Sequence, residues 1–285
     1  SYESLRNTSV KLRYTFLEMP QDNGFEIRFE DPRIGYFTDR VTDLSSTEIT
    51  PYRDLVQKWN LQKQNPDSAK SKPIKPIKFW LENTTPNELR PLIKKAVLAW
   101  NIAFEKAGFK NAIVAKDSPS LEENEDFSLE DIRYSIIHYV ASTTRNARGL
   151  SIVDPRSGEI IQSDVIWYHN HLKSYRNRYL LETGASNQKA RTLDTDEKDI
   201  GLMIRRVISH EVGHALGLPH NMKSSSAYPV DSLRSDSFTQ KMGIASTIMD
   251  YARFNYVSQP NDDNKLFIRK LGPYDAVSYT HLRAH

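Results

Sequence analysis

Eleven consecutive residues, 210 to 220, constrain the fold and the chemistry of this chain more than any other feature. They read His-Glu-Val-Gly-His-Ala-Leu-Gly-Leu-Pro-His, which is the spacing H-E-x-x-H-x-x-G-x-x-H. On a helix, His210 and His214 have Cβ atoms about 5–6 Å apart, so they can hold one metal ion together. Gly217 lets the chain leave the helix through a turn that most residues resist, and the turn carries His220 back as a third ligand. The spacing therefore predicts a catalytic zinc site on a helix that ends in a glycine turn.

Glu211 follows the first histidine and faces a neighbouring side of the same helix. Three neutral imidazoles leave zinc an open fourth position, as in catalytic rather than structural sites. Zinc lowers the pKa of a water molecule in that position toward about 7, and Glu211 lies close enough to take its proton. The pattern predicts hydrolysis by activated water, with Glu211 as general base and then general acid.

The composition excludes several other classes of site and partner. The chain has no cysteine, which excludes disulfide bonds and thiolate chemistry and leaves histidine as the plausible nitrogen ligand. A formal charge of +3 over 285 residues is small and indicates no nucleic-acid partner. No apolar run approaches the roughly 18 residues that a transmembrane helix needs. Nothing in the composition specifies an oligomeric state.

A second motif lies downstream, at Ser246-Thr247-Ile248-Met249-Asp250-Tyr251. With both motifs, the chain resembles the metzincin clan of zinc endopeptidases, which place a methionine turn (the Met-turn) beneath the three histidines. The resemblance implies that Met249 supports the ligands from below without binding zinc. It implies that Tyr251 is a replaceable fifth ligand or a hydrogen-bond donor to the tetrahedral intermediate; a buried tyrosine beside the turn is the alternative. The stretch from about Pro76 to Asp275 resembles the matrixin-like catalytic domain of large bacterial zinc-dependent metalloproteases.

This resemblance implies an α+β (α/β metzincin-like) fold. It comprises a twisted, mixed five-stranded sheet with an edge strand over the cleft, two long helices including the zinc helix, and a mostly irregular C-terminal subdomain with the Met-turn. Apolar segments that read as strands occur at 77–81, 112–114, 134–140, 150–153 and 159–167. Apolar residues at helical spacing predict a helix from Leu89 to Ala107, and the zinc helix is predicted from about Asp199 to Leu216. Residues 174–196 lack periodicity and predict a long loop.

An extended substrate is expected to pair, main chain to main chain, with one strand at the rim of the cleft. The resemblance places this edge strand at Gly149, Leu150, Ser151 and Ile152. An ordinary internal strand is the alternative for this segment.

The chain divides into three segments by pattern. Residues 1–72 are predicted to be the C-terminal part of a preceding β-rich domain plus a linker, because 10–14 and 25–29 alternate apolar and polar residues around the turn signal Asp22-Asn23-Gly24. Residues 73–276 are predicted to be the metzincin-like catalytic domain. Residues 277–285 resemble a translated sequencing adapter, so we predict a non-native tail and give it no part in the fold.

Two further clusters of polar residues contain side chains that could bind a second metal ion. His169 and His171 form an H-x-H pair that could bind a second metal but is more often solvated. Asp194, Asp196 and the acidic residues after them could hold calcium, or cap the zinc helix, since acidic groups favour a helix N-terminus.

The predicted function is that of a secreted, bacterial type of metalloendopeptidase that holds one catalytic Zn²⁺ and acts on polypeptide. The resemblance implies export to the periplasm, the outer membrane or the medium, with any signal peptide outside this sequence. Two alternatives stay open. One is a binding module that holds zinc but is catalytically inactive, and the other is a zinc hydrolase of non-peptide amides.

Overall fold

The computed structural model describes residues 9–33, 35–120 and 122–283. The strands of this part of the chain are β1 (Thr38–Thr42), β2 (Tyr52–Val56), β3 (Ile77–Leu81), β4 (Ile113–Asp117), β5 (Ser135–Val140), β6 (Ala147–Val153) and β7 (Ile160–Tyr168). Its α-helices are α1 (Arg90–Leu98), α2 (Asn101–Lys106), α3 (His171–Thr183), α4 (Glu197–Ala215), α5 (Val230–Leu233), α6 (Asp236–Met242) and α7 (Asp275–Arg283). No described helix is both long and apolar enough to cross a membrane.

Five strands form one mixed sheet in the order β4-β3-β5-β7-β6. β4, β3, β5 and β7 run parallel, and β6 pairs antiparallel with β7 at one edge. The inner strands carry fully buried residues such as Phe79 and Leu81, as expected where helices cover a parallel sheet. This architecture confirms the predicted α+β fold with its five-stranded mixed sheet, and the structure adds that the edge strand is antiparallel.

The helix predicted from Leu89 to Ala107 is interrupted. α1 begins at Arg90, with Pro91 in its first turn, and α2 follows after a break at Ala99 and Trp100. Trp100 is completely buried, and its indole N–H donates to the Ser209 carbonyl of α4 at 2.9 Å. The break thus places a large aromatic side chain between the two helices and beneath α4.

The strands predicted at 10–14 and 25–29 are wrong. In the structure these residues are extended coil with a single β-bridge between Phe29 and Leu55. Leu12 and Phe16 are 69% and 94% exposed. Alternation yields a strand only where a neighbour pairs with it and a core covers its apolar face. Residues 10–14 belong to no described strand or bridge, and residues 25–29 pair with β2 only around Phe29, which is 52% exposed. The β-structure of this segment is instead the antiparallel pair β1–β2.

Residues 36–59, here called the N-terminal strap, pack against the zinc helix. Tyr36 and Val56 belong to the same hydrophobic core as Trp100. The Trp59 indole N–H donates to the Ala215 carbonyl at 2.9 Å. The domain boundary at residue 72 stays a prediction, but side chains on both sides of it share one core.

Residues 174–191 do not form the predicted loop. α3 occupies most of this segment and a short 3₁₀ helix follows it, from Gln188 to Arg191. Tyr175 and Tyr179 of α3 pack against Phe254, with ring centroids 6.2 Å and 5.2 Å away. The prediction failed because these tertiary contacts, rather than a periodic apolar face, hold the helix in place.

The C-terminal residues 277–283 continue α7. Tyr279 is buried and packs against Phe104, with ring centroids 4.4 Å apart and ring planes tilted by 51°. The segment that the sequence analysis left out of the fold is therefore helical as far as residue 283, and residues 284–285 lie outside the described residues. Its non-native origin stays a prediction.

Candidate metal centre

The zinc helix α4 begins where the acidic cluster predicts a cap. Asp196 is the N-cap residue, and its side chain accepts a hydrogen bond from the Lys198 N–H at 2.8 Å. Glu197 and Asp199 lie in the first turn, where negative charge is favourable. Capping of the zinc helix was one of the two predicted roles of this cluster, and Asp196 has that role. Calcium binding there stays a prediction.

The helix ends in a turn that requires glycine. Gly217 has φ +95°, and a Cβ atom there would lie 2.5 Å from the Gln57 carbonyl oxygen. The Leu218 N–H donates to the Gly213 carbonyl at 3.0 Å, and the Gly217 N–H donates to the His214 carbonyl at 2.9 Å. These bonds are those of a Schellman turn, which reverses the chain toward the helix.

The three histidines of the motif come together at one point. His220 Nε2 lies 3.2 Å from His210 Nε2 and 3.0 Å from His214 Nε2. Nitrogens bound to one tetrahedral zinc ion at about 2.0–2.1 Å lie roughly 3.3 Å apart. The donor set therefore fits zinc, and among the described residues it is the one group of three or more possible ligands.

Backbone carbonyls orient two of the imidazoles. His210 Nδ1 lies 2.7 Å from the Ile248 oxygen, and His214 Nδ1 lies 2.7 Å from the Leu218 oxygen. Because a carbonyl only accepts, each Nδ1 carries the hydrogen and each Nε2 keeps its lone pair for a metal. Burial holds the pKa of His210 well below its usual value and lowers that of His214 to about 4. Both rings are thus neutral near pH 7.

Met249 lies beneath the ligands, as the resemblance implies. Its side chain is buried, and a Cβ atom at Gly213 would lie 2.3 Å from Met249 Sδ and 2.9 Å from Trp100 Cζ2. The thioether therefore packs against α4 at the residue just before His214. A hydrogen bond of 3.0 Å from the Asn221 N–H to the Met249 carbonyl ties the Met-turn to the segment after His220.

Asp275 supports the site, and the sequence analysis missed this role. Its buried carboxylate accepts hydrogen bonds from the Ile248 and Gly272 N–H groups, each at 2.7 Å, and from the Thr247 hydroxyl. The bond to Ile248 fixes the peptide unit next to the carbonyl that orients His210. Burial raises the pKa of Asp275 to about 6, against these hydrogen bonds. The sequence signal that could have indicated this role is the position of Asp275 directly after the turn-forming residues Gly272-Pro273-Tyr274.

Glu211 lies beside the ligands and next to the edge strand. Burial raises the pKa of its carboxyl to about 7, while a hydrogen bond from the Gly149 N–H opposes that shift. A Cβ atom at Gly149 would lie 2.5 Å from the Glu211 carbonyl oxygen and 3.0 Å from His214 Cβ. The absence of a side chain at Gly149 thus lets β6 approach α4 closely at this point.

The buried carboxyl of Glu211 should make the metal-free protein less stable at alkaline pH. Its folded-state pKa is raised from 4.5 to about 7. The contribution of protonated Glu211 to the free energy of unfolding is therefore fully present below about pH 4.5, and it is lost as the pH rises through about 7. We expect metal-free Glu211→Gln to be more stable than the metal-free parent by about 2–3 kcal/mol at pH 8, and by much less at pH 5. Denaturant unfolding in a chelator measures both; an equal difference at the two pH values would contradict the prediction.

Tyr251 is exposed toward the histidines. Its ring centroid lies 4.2 Å from that of His220 and 5.9 Å from that of His210. The side chain is 59% exposed, so the alternative of a buried tyrosine is wrong. Partial burial, and then the charge of Glu211, raise the pKa of Tyr251, so the phenol keeps its proton near neutral pH.

The predicted substrate strand forms the rim of the cleft. Gly149, Leu150, Ser151 and Ile152 lie in β6, which pairs with β7 alone among the described strands. The alternative of an internal strand is therefore wrong. A cleft of about 830 Å³ is lined by this strand, by the three histidines and by Tyr251. Phe37 of the N-terminal strap also lines the cleft, with its ring centroid 5.7 Å from that of His214, and no sequence pattern indicated this position.

The pair His169 and His171 does not join a larger ligand group in the described part of the chain. His169 Nδ1 lies 2.6 Å from the Tyr139 hydroxyl. His171 begins α3, and burial lowers its pKa to about 4. A second metal at this pair stays a prediction.

One family comparison agrees with the geometry of the centre. Residues 192–280 match the model of a family described as Met-zincin, and the match spans the three histidines, Glu211 and the Met-turn. No curated protein sequence matches the chain. A solved structure of myroilysin is similar over 76% of this chain and 96% of that chain, with 14% identity and a TM-score of 0.33. That TM-score is too low to support an argument.

Proposed function

We propose, from the premise that residues 192–280 form a metzincin-type metalloprotease domain, that this chain is a zinc-dependent endopeptidase. One observation carries the proposal. Three imidazole Nε2 atoms converge, and the buried Glu211 carboxyl lies beside them under a free strand edge. His210, His214 and His220 would hold the zinc ion.

Glu211 moves the proton in the proposed reaction. Zinc, when bound, supplies a Lewis acid that polarises a water molecule and the peptide carbonyl. Glu211 takes a proton from the attacking water and delivers it to the departing amine. Burial raises the pKa of this carboxyl to about 7, and a group with a pKa near the working pH can both accept and release a proton.

Tyr251 stabilises negative charge on the carbonyl oxygen in this proposal. Its exposed phenol stands beside His220 and keeps its proton, so it can donate a hydrogen bond to the oxyanion. Tyr251 belongs to the segment of the Met-turn, whereas β6 comes from an earlier part of the chain.

The free edge of β6 favours a peptide over other amides. An extended main chain can add to that edge by hydrogen bonds that do not depend on its sequence. Gly149 brings the edge against α4 at Glu211, so a peptide paired with β6 passes the catalytic carboxyl. A non-peptide amide has no extended main chain that could form hydrogen bonds with this edge. A catalytically inactive binding module would not require a buried carboxyl at Glu211 beside the metal ligands.

Metal removal is the direct test. The purified protein should contain about one zinc per chain and cleave a peptide blocked at both ends. Stripping the metal with a chelator should reduce cleavage to background, and one equivalent of zinc should restore it. Cleavage that persists in metal-free protein would refute the proposal.

Matched substrates separate the alternatives. Mass spectrometry of the products locates the broken bond, and internal cleavage of the blocked peptide is the expected result. A binding module would hold zinc and leave every peptide intact. A hydrolase of non-peptide amides would release acyl groups from small amides and spare the peptide bond.

A further inference from the structure

Two arginines form one wall of the cleft beside the metal centre. Arg206 lies one turn before His210 on α4, and Arg269 comes from the irregular segment that precedes α7. Both line the cleft that also contains the three histidines and Tyr251. Their side chains are nevertheless deeply buried, since the two residues are only 8% and 4% exposed. We call Arg206 and Arg269 the arginine wall.

The arginine wall has more hydrogen-bond donors than the protein satisfies. Arg206 donates from Nη2 to the Ala252 carbonyl at 3.2 Å, but its Nε has no partner. Arg269 has no partner at either Nε or Nη1. Unsatisfied buried donors are rare in folded proteins, above all on a charged group, because their desolvation is not compensated.

The nearby carboxylates are engaged elsewhere. Asp250 accepts from the Ser225 N–H and hydroxyl, at 2.5 Å and 2.8 Å. Asp275 holds Ile248 and Gly272, as described above. Glu182 pairs with Arg253 at the outer side of the cleft. Among the ion pairs of the described residues, that of Glu182 is with Arg253. The three acids act on the arginine wall only through longer-range charge interactions, Glu182 on Arg206 and Asp250 and Asp275 on Arg269.

Aromatic rings complete the pocket around these charges. The Arg206 guanidinium stands 4.5 Å from the Tyr175 ring centroid and 5.5 Å from that of Phe254. The two ring centroids are 6.2 Å apart, so both rings lie on neighbouring sides of the guanidinium. An anion that entered this partly apolar wall would meet the buried guanidinium groups in a poorly screened environment. Burial, and then the neighbouring charge of Arg206, lower the pKa of Arg269 to about 9, and the charges of Asp250 and Asp275 oppose this shift.

We propose that the arginine wall binds an acidic side chain of the substrate, next to the bond that is cut. A carboxylate matches the planar donor fork of a guanidinium and can satisfy two of its N–H groups at once. The site would thus select peptides with Asp or Glu beside the scissile bond. This inference rests on the proposed endopeptidase activity and names its substrate class.

The test compares peptides that differ in one group. Peptides blocked at both ends carry Glu or Gln, and Asp or Asn, at each position flanking the scissile bond. We expect kcat/KM to be about 10- to 100-fold higher for the acidic member at one flanking position. Arg269→Met should bring this ratio close to one. Arg234→Met is the control, because Arg234 pairs with Asp262 at 2.8 Å and does not line the cleft, and it should keep the ratio.

Two further measurements separate a role in substrate binding from a purely structural role of Arg269. Arg269→Lys keeps a charge but loses the fork, so its ratio should fall between those of the parent and Arg269→Met. Thermal unfolding should show Arg269→Met at least as stable as the parent, because the substitution removes an uncompensated charge. A lower Tm together with an unchanged ratio would mean that Arg269 is only structural, and would overturn the proposal.

The two proposals fail in different ways. If neither peptide of a pair is cut, the endopeptidase function itself is refuted. If both are cut equally well, the function stands and the acidic pocket is refuted. If acid preference appears only for peptides with a free C-terminus, the pocket takes a terminal carboxylate, and the side-chain proposal is wrong.

Discussion

Glu211→Gln should lower kcat/KM for peptide cleavage by about two to four orders of magnitude while the protein still binds zinc. Glutamine has nearly the shape of glutamate, and its amide oxygen can accept the hydrogen bond that the Gly149 N–H now donates. It cannot take a proton from water, however. The expected loss therefore reflects proton transfer alone, and it should appear in kcat.

Zinc content and a matched variant make this result specific. Metal analysis should find about one zinc per chain in both parent and variant. Glu197→Gln changes the same residue type at the exposed first turn of the same helix, and it should keep parental activity. Parental rates in Glu211→Gln would rule out its role as base.

The second large effect is expected on folding. Gly213→Ala should reduce the free energy of unfolding by about 1–3 kcal/mol or more. The new Cβ atom would lie 2.3 Å from Met249 Sδ, a distance at which one of the two groups must move. Displacing the Met-turn should also weaken zinc binding, because the Ile248 carbonyl next to Met249 orients His210.

A second glycine on the same helix provides the control. At Gly201 a new Cβ atom would meet only the flexible end of Leu92, at 3.3 Å. Gly201→Ala should therefore change stability little, helped by the better helix propensity of alanine. Denaturant unfolding and zinc titration of both variants provide the comparison, and equal destabilisation of the two would contradict the account of Met249.

The sequence predicted best those residues whose role depends only on neighbours close to them in the sequence. His210, His214 and Gly217 fall within one helix and its exit turn, so their spacing already defines their geometry. The strands of the parallel sheet were also recognisable, since each contains a short run of apolar or aromatic residues, such as Ile113-Val114-Ala115 and Ile136-Ile137. β6 could be placed at the edge only through family resemblance, because its own pattern does not state which strand pairs with it.

What the sequence did not predict depends on contacts between distant residues. Arg206 reads as an ordinary charged position on a helix, and Arg269 as one in a loop, until the fold brings both to the cleft. α3 lacks an apolar stripe, and Asp275 acts through a turn far from it in sequence. The strands expected near residue 12 failed for the converse reason, since their pattern was strand-like but no neighbour completed a sheet.

The N-terminal strap, residues 36–59, contacts the loop that carries the third histidine of the metal centre. The Phe37 N–H donates to the Gly217 carbonyl at 2.8 Å, and the Gln57 main chain leaves no room for a side chain at Gly217. The loop that delivers the third imidazole is thus clamped from outside by residues that contribute no ligand. Ion affinity and the anchoring of this strap are thermodynamically linked, so that whatever loosens one weakens the other to the same extent.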